Sequence, residues 1–162
     1  MKITVGIPAY NEEKNIAKII VKLKKMVDQI LVCDDGSTDS TCAIAESLGV
    51  TVIKHPKNSG YGMAIRSIFL KAREINADLL VTIDADGQHK IEDINKIIKP
   101  IVDGRADISI GSRFLKEDNN TPSYRKLGVK VITKVTNSSL SEKVTDAQSG
   151  FRAYNNKVLQ SL

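Results

Sequence analysis

Residues 77–101, ADLLVTIDADGQHKIEDINKIIKPI, hold an apolar run, a polar turn and an amphipathic stretch in close succession. From Ala77 to Ile83 the run is apolar almost without a break. A strand with one face in water alternates apolar and polar residues, so a continuous run belongs to a strand covered on both faces, as in a parallel sheet. After the turn, Ile91, Ile94, Ile97, Ile98 and Ile101 recur at spacings of three and four, which places them on one face of a helix. Between the two lie Asp84 and Asp86, one residue apart. With 12 aspartates in 162 residues, chance supplies a D-x-D on the order of once, so the pair gains meaning only from its surroundings.

The same unit recurs in both directions. KITVGIP is a short strand, followed by a helix with Ile16, Ile19, Ile20, Leu23 and Val27 on one face. QILVCDD is a second strand, and STDSTCAIAESLG a helix with an N-capping Ser or Thr and a terminal glycine. VTVIKH is a third strand, and Ile65, Ile68, Phe69 and Ala72 mark the next helix. ADISIGSRF is a fifth strand. Strand and helix thus alternate about five times, which predicts one α/β domain over residues 1–162: an open, mostly parallel sheet with helices on both faces. Beyond Phe114 the pattern changes to a polar loop, a helix in YRKLGVKVITKVTNSSL, and a segment TDAQSGFRAYNNKVLQSL that starts irregular and ends helical.

Bulk properties narrow the function classes. A hydrophobic share of 41% and a charged share of 27% are those of an ordinary globular domain. With aromatics at 4% and no tryptophan, the core falls to Ile, Val, Leu and Ala. The net charge of +5 permits an anionic partner, but Lys14, Lys18, Lys22 and Lys25 recur at helical spacing and read as a solvated helix face. No basic stretch interleaved with aromatics and no zinc or RNP-type motif occurs, so nucleic acid is not the expected partner. Cys33 and Cys42 fit neither C-x-x-C nor a zinc pattern; reduced thiols and a cytoplasmic location are the default. No signal peptide and no run of eighteen apolar residues suggest a membrane span.

In open parallel sheets, ligands bind outside the carboxyl ends of the strands. Polar groups gather there four times: Pro8, Tyr10, Asn11 and Glu12 after the first strand, Asp34, Asp35, Gly36 and Ser37 after the second, Asp84, Asp86 and Gln88 after the fourth, and Gly111, Ser112 and Arg113 after the fifth. Each cluster alone is ordinary turn chemistry; their joint placement predicts a site. Asp84, Asp86 and Gln88 alternate along an extended segment, and their oxygens suit Mg²⁺ or Mn²⁺ better than zinc. Two or three protein ligands leave room for water and phosphate oxygens, which points to a nucleotide diphosphate. Asp35, on another strand end, suits a base or ribose. Gly60 and Gly62 precede a helix and serve either as a flexible start or as a close approach to phosphate. They are not a dinucleotide fingerprint, because Ile65 stands where a third small residue belongs.

Six segments, IPAYNEEKNI, VCDDGSTDST, NSGYGMAIRSIF, TIDADGQH, IGSRF and TDAQSGFRAY, occur in the order found in family-two inverting glycosyltransferases of the GT-A fold, and the chain most resembles the dolichol-phosphate mannose synthase type. The resemblance implies transfer of a sugar from a nucleoside-diphosphate donor, GDP-mannose first and UDP-glucose or UDP-N-acetylhexosamine next, to a polyprenyl phosphate. It implies that Pro8, Ala9, Tyr10 and Glu12 line the nucleoside pocket, that Cys33 and Asp35 contact base or ribose, and that Gly62 and Ala85 adjoin the donor. Asp84, Asp86 and Gln88 become the metal site, Asp86 and Gln88 as direct ligands and Asp84 through water. By the same resemblance Arg113 meets donor or acceptor phosphate, Arg125, Asp146, Ser149 and Arg152 shape the acceptor side, and Asp146 is the candidate base if the acceptor is a sugar hydroxyl. Lys126, Lys130 and Lys134 beside Leu127, Val131 and Val135 form either a solvated helix face or an interfacial helix on an anionic membrane. The chain ends soon after SGFRAY, earlier than the family's full catalytic domain, so a shortened or minimal form is expected.

Three other readings compete. A phosphatase using DADG would carry it after the first strand, and a sugar-1-phosphate nucleotidyltransferase would open on a glycine-rich loop; neither pattern is present. A non-catalytic nucleotide-sugar-binding module differs from the transferase only in turnover.

Overall fold

The computed structural model describes residues 1–87, 90–112 and 149–161. Gln88, Arg113, Arg125, Asp146 and the stretch with Lys126, Lys130 and Lys134 lie outside the described residues. Within them the chain builds six strands: β1 (Ile3–Ala9), β2 (Gln29–Asp34), β3 (Thr51–Lys54), β4 (Leu79–Thr82), β5 (Ile108–Ile110) and β6 (Arg152–Asn155). Five helices accompany them: α1 (Ile16–Leu23), α2 (Thr41–Ser47), α3 (Tyr61–Glu74), α4 (Ile94–Val102) and α5 (Asn156–Gln160).

The sheet order is β3-β2-β1-β4-β6-β5. β1 pairs in parallel with β2 and β4, and β2 with β3. Cα partners Ala9 and Asp34, and Gly6 and Thr82, bring the carboxyl ends of the central strands to one edge. This is the mostly parallel α/β architecture that the GT-A resemblance implies.

The departure is β6. The carboxyl-terminal segment that reads as irregular forms a strand antiparallel to both β4 and β5. Arg-Ala-Tyr-Asn carries no apolar run, so tertiary pairing rather than local pattern makes it a strand. Because β6 runs backward, its first residue, Arg152, stands opposite Thr82 at the carboxyl end of β4.

Helices cover both faces. On one, Ile16, Ile19, Ile20 and Leu23 of α1 and Ile94, Ile97 and Ile98 of α4 pack with Val5, Ile7, Val32 and Val81 of the sheet. On the other, Ala64, Ile68 and Ala72 of α3 and Leu159 of α5 pack with Leu31, Leu80 and Tyr154. The α1 and α4 faces are the isoleucine faces that the helical spacing predicts; on α3, Ala64 takes the place expected of Ile65, and Lys14, Lys18, Lys22 and Lys25 are exposed. Gly6 decides how near α3 can come, since a Cβ there would overlap Ile68 Cγ2. The glycine lets the helix lie directly on β1.

Candidate functional site

A cleft of about 640 Å³ opens at the carboxyl edge of β1, β2 and β4. Pro8, Ala9, Tyr10 and Glu12 line it from the β1 exit. The loop is shaped by Asn11, whose φ of 55° lies in the left-handed region that asparagine tolerates. Its Oδ1 accepts from Thr38 N at 2.9 Å, and its N donates to Ser37 Oγ at 3.0 Å. Glu12 N donates to Thr41 Oγ1 at 2.7 Å, while Asn15 Nδ2 donates to the Glu12 carboxylate at 2.8 Å. The first two polar clusters of the sequence are therefore stitched into one wall.

Asp35 follows β2 and is 4% exposed, yet lines the cleft. Its Oδ1 accepts from His55 Nδ1 at 2.6 Å and from Ser59 N at 3.0 Å, and its Oδ2 from Gly60 N at 2.8 Å. Burial pushes its pKa up, but the hydrogen bonds from His55, Ser59 and Gly60 outweigh burial and hold it below the usual carboxylate range. Gly36 has φ +73°, and a Cβ there would meet the Lys57–Asn58 backbone. The Asp-Gly pair thus seats the 57–60 loop on Asp35.

At the end of β4, Ile83 and Ala85 are buried, whereas Asp84 is half-buried and Asp86 exposed. This period of two sends both carboxylates to the cleft, which they line. Tyr61 Oη donates to Asp84 Oδ1 at 3.1 Å. Burial, then the Asp84 charge, pushes the Tyr61 phenol well above its ordinary value, so it stays a neutral donor. At the end of β4, Thr82 Oγ1 donates to Gly150 O at 2.8 Å, and on β6 Arg152 Nε donates to Ser149 O at 2.8 Å. Gly150 lies so close to the Asp84 carboxylate that a Cβ would collide with it; that contact gives the Ser-Gly-Phe-Arg stretch its physical reason.

Of the residues singled out in the sequence, Pro8, Ala9, Tyr10, Glu12, Asp35, Asp84, Ala85, Asp86, Ser149 and Arg152 line this cleft. Cys33 does not. It is fully buried beneath the floor, its Sγ 3.6 Å from His55 Nε2, and burial followed by the charges of Asp35 and Asp34 pushes its pKa up to about 12. Gly62 lies exposed on the first turn of α3 outside the cleft, while its neighbour Gly60, with φ +91°, lines it. Tyr61, His55 and Gly150 were not singled out. His55 ends the third apolar run, as Asp35 does the second, and that position was its one available signal.

Among the described residues no three His, Cys, Asp or Glu converge as a closed metal cage. The donor set present, two carboxylates at an open cleft, fits a hard cation that keeps water and phosphate oxygens in its shell. The amino terminus of α3, with Gly60 and Tyr61 at the cleft, adds a positive dipole end suited to phosphate.

Fold and cleft together define a glycosyltransferase scaffold of the GT-A kind. Within that class, residues 4–162 match the pattern described as Glycosyl transferase family 2, and the chain belongs to that family. Over 96% of its length it is 38% identical to the UDP-N-acetylglucosamine–dolichyl-phosphate N-acetylglucosaminyltransferase of Methanococcus voltae, covering 70% of that protein. It is 35% identical over its whole length to the dolichol-phosphate mannosyltransferase of Pyrococcus furiosus, covering 48% of it. Against the polyprenol monophosphomannose synthase of Mycolicibacterium smegmatis it is 33% identical, over 98% of this chain and 63% of that one. Glucosyl-3-phosphoglycerate synthase from Mycobacterium tuberculosis, solved with UDP, superimposes with a TM-score of 0.76 over 99% of this chain and 59% of its own at 23% identity, a likeness of fold. The chain thus spans between 48% and 70% of the length of these relatives. Among the described residues no helix is long and apolar enough to cross a membrane.

Proposed function

We propose that the chain is the catalytic domain of an inverting, divalent-cation-dependent glycosyltransferase that moves a sugar from a nucleoside-diphosphate donor to a polyprenyl phosphate. The observation that carries this reading is the convergence of Asp84 and Asp86 after β4, Asp35 after β2 and Arg152 on β6 at one cleft. Relatives whose names specify dolichyl-phosphate or polyprenol transfer support the acceptor class. The fold neighbour solved with Mn²⁺ and UDP supports a cation used with a nucleoside diphosphate.

Asp84 and Asp86, joined by Gln88, would hold Mg²⁺ or Mn²⁺. When bound, such a cation neutralises the charge that develops on the departing diphosphate. The protein's own groups supply the rest. Tyr61 orients Asp84. Asp35, ionised and acceptor-only, receives an N–H or O–H from base or ribose. Arg152, with Arg113 and Arg125, holds the acceptor phosphate. A phosphate monoester with a second pKa near 6 is largely dianionic at neutral pH, so in-line displacement at the sugar carbon needs no strong general base. Positioning and charge stabilisation then carry the rate. Asp146 becomes the base to test if the acceptor is a sugar hydroxyl. The protein works in the cytoplasm, with peripheral contact at the cytoplasmic face of a membrane where its acceptor lies.

Titration calorimetry with GDP, UDP, GDP-mannose and UDP-N-acetylglucosamine, each with Mn²⁺ and with Mg²⁺, identifies the donor and the metal. Asp86→Ala should abolish the metal-dependent part of binding while leaving the thermal melt within a few degrees. Unaltered binding by Asp86→Ala sinks the reading of the site. Binding without turnover on any polyprenyl phosphate favours a binding module.

A further inference from the structure

His55 sits at the carboxyl end of β3 with a side chain only 12% exposed, and it does not line the cleft. Each ring nitrogen has a partner. Nδ1 is 2.6 Å from Asp35 Oδ1, and Nε2 is 2.8 Å from Ser67 Oγ on α3 and 3.6 Å from Cys33 Sγ. Asp35 cannot donate when ionised, so Nδ1 carries the proton; in the neutral ring Nε2 then accepts from the Ser67 hydroxyl. The chain from Ser67 through His55 thus ends on Asp35, which lines the cleft with Glu12.

We propose that His55 is the positioning residue for nucleoside recognition, fixing through Ser67 and Asp35 which carboxylate lone pair faces the ligand; this rests on the nucleotide-sugar reading above. Oδ1 is occupied by His55 and Ser59, and Oδ2 by Gly60 N. The remaining lone pair of Oδ2 is the one left for a base or ribose donor. Without His55, Asp35 keeps one backbone N–H on each oxygen but loses its side-chain donor, so its orientation rests on the 59–60 loop alone. The consequence is selective. The nucleoside end of the ligand should lose affinity, whereas the diphosphate, which meets Asp84 and Asp86, should not.

Calorimetry on the full chain with Mn²⁺ separates these ends, using GDP and UDP as nucleotide probes and inorganic pyrophosphate as the probe lacking a nucleoside. His55→Phe keeps a planar ring and removes both hydrogen bonds. It should weaken the nucleoside diphosphate about tenfold or more, as loss of a hydrogen bond to a charged group does, and leave pyrophosphate unchanged. His55→Asn, whose amide replaces Nδ1–H, should restore most of the affinity. Ser67→Ala should give a few-fold loss in the same direction, and it remains a test if His55→Phe fails to fold. Equal affinity for the nucleoside diphosphate in His55→Phe and Ser67→Ala would overturn the proposal, as would an equal loss for pyrophosphate. If the wild-type chain bound neither GDP nor UDP, the nucleotide reading itself would fall and the proposal with it.

Discussion

At Asp35, burial and hydrogen bonding oppose each other, and the outcome predicts a pH dependence. The carboxylate is 4% exposed, which alone would favour its neutral form, but three donors aimed at it reverse the preference. Its folded-state pKa therefore lies below the unfolded value near 4. A group with a depressed folded pKa stabilises the protein above its unfolded pKa, and that contribution drains away as pH falls through the folded value. Asp35→Asn should be less stable than wild type at pH 7, and the gap should narrow as pH falls below about 4. Asp39, Glu92 and Asp103 are also held low, so both chains lose stability in acid and the readout is the difference between their urea midpoints. A gap that stays constant from pH 7 to pH 3 would show that Asp35 contributes shape rather than charge. The place of Asp84 and Asp86 at the cleft was legible from their position at a strand end. His55 and Tyr61 were not, because each acts on a carboxylate 20 or 23 residues away in sequence.

Among the elements, α3 is placed by a close approach that no propensity scale records. Ile68, Phe69 and Ala72 of its expected face pack on the sheet with Ala64, whereas Ile65 turns to the cleft, and its distance from β1 is set by Gly6, against which Ile68 Cγ2 rests. Adding a methyl here overpacks a filled core, a change that typically costs about 1–3 kcal/mol. Gly6→Ala should lower the urea midpoint accordingly with an unchanged slope, and it should cost less when introduced into an Ile68→Ala background, where the opposing Cγ2 is gone. Independent, additive losses in the double variant would mean that the two sites do not share the strain. The difference between β1 and β6 shows where local reading stops. β1, β2 and β4 are continuous apolar runs that admit one interpretation, whereas Arg152–Asn155 is a strand only because β4 and β5 present open edges on either side of it. Among the described residues of the expected fifth strand, Ile108–Ile110 is the part that finds a partner in β6.

For the molecule as a whole, that backward strand ties the carboxyl-terminal segment to both halves of the core and to the cleft. Phe151 and Ala153 belong to the core under α1 and α4, while Tyr154 and Leu159 belong to the core under α3 and α5. The ring of Tyr154 also meets Phe69 edge-on at 4.8 Å. Burying a large apolar side chain contributes roughly 1.5–3 kcal/mol, so the three large ones together supply several kcal/mol. Domain stabilities are only about 5–15 kcal/mol, which makes this segment decisive for folding. A chain ending at residue 148 should therefore lose its cooperative thermal transition, since β4 is left with a bare edge. It should also lose nucleoside-diphosphate binding. Arg152→Ala, by contrast, keeps the strand and removes only the side chain at the cleft. It should melt cooperatively within a few degrees of wild type, still bind the nucleoside diphosphate, and lose transfer to the phosphate acceptor. If the shortened chain melted as the full one does, the sheet would be held by β1 to β4 alone. The contribution of residues 149–161 would then be confined to Ser149, Gly150 and Arg152 in the cleft.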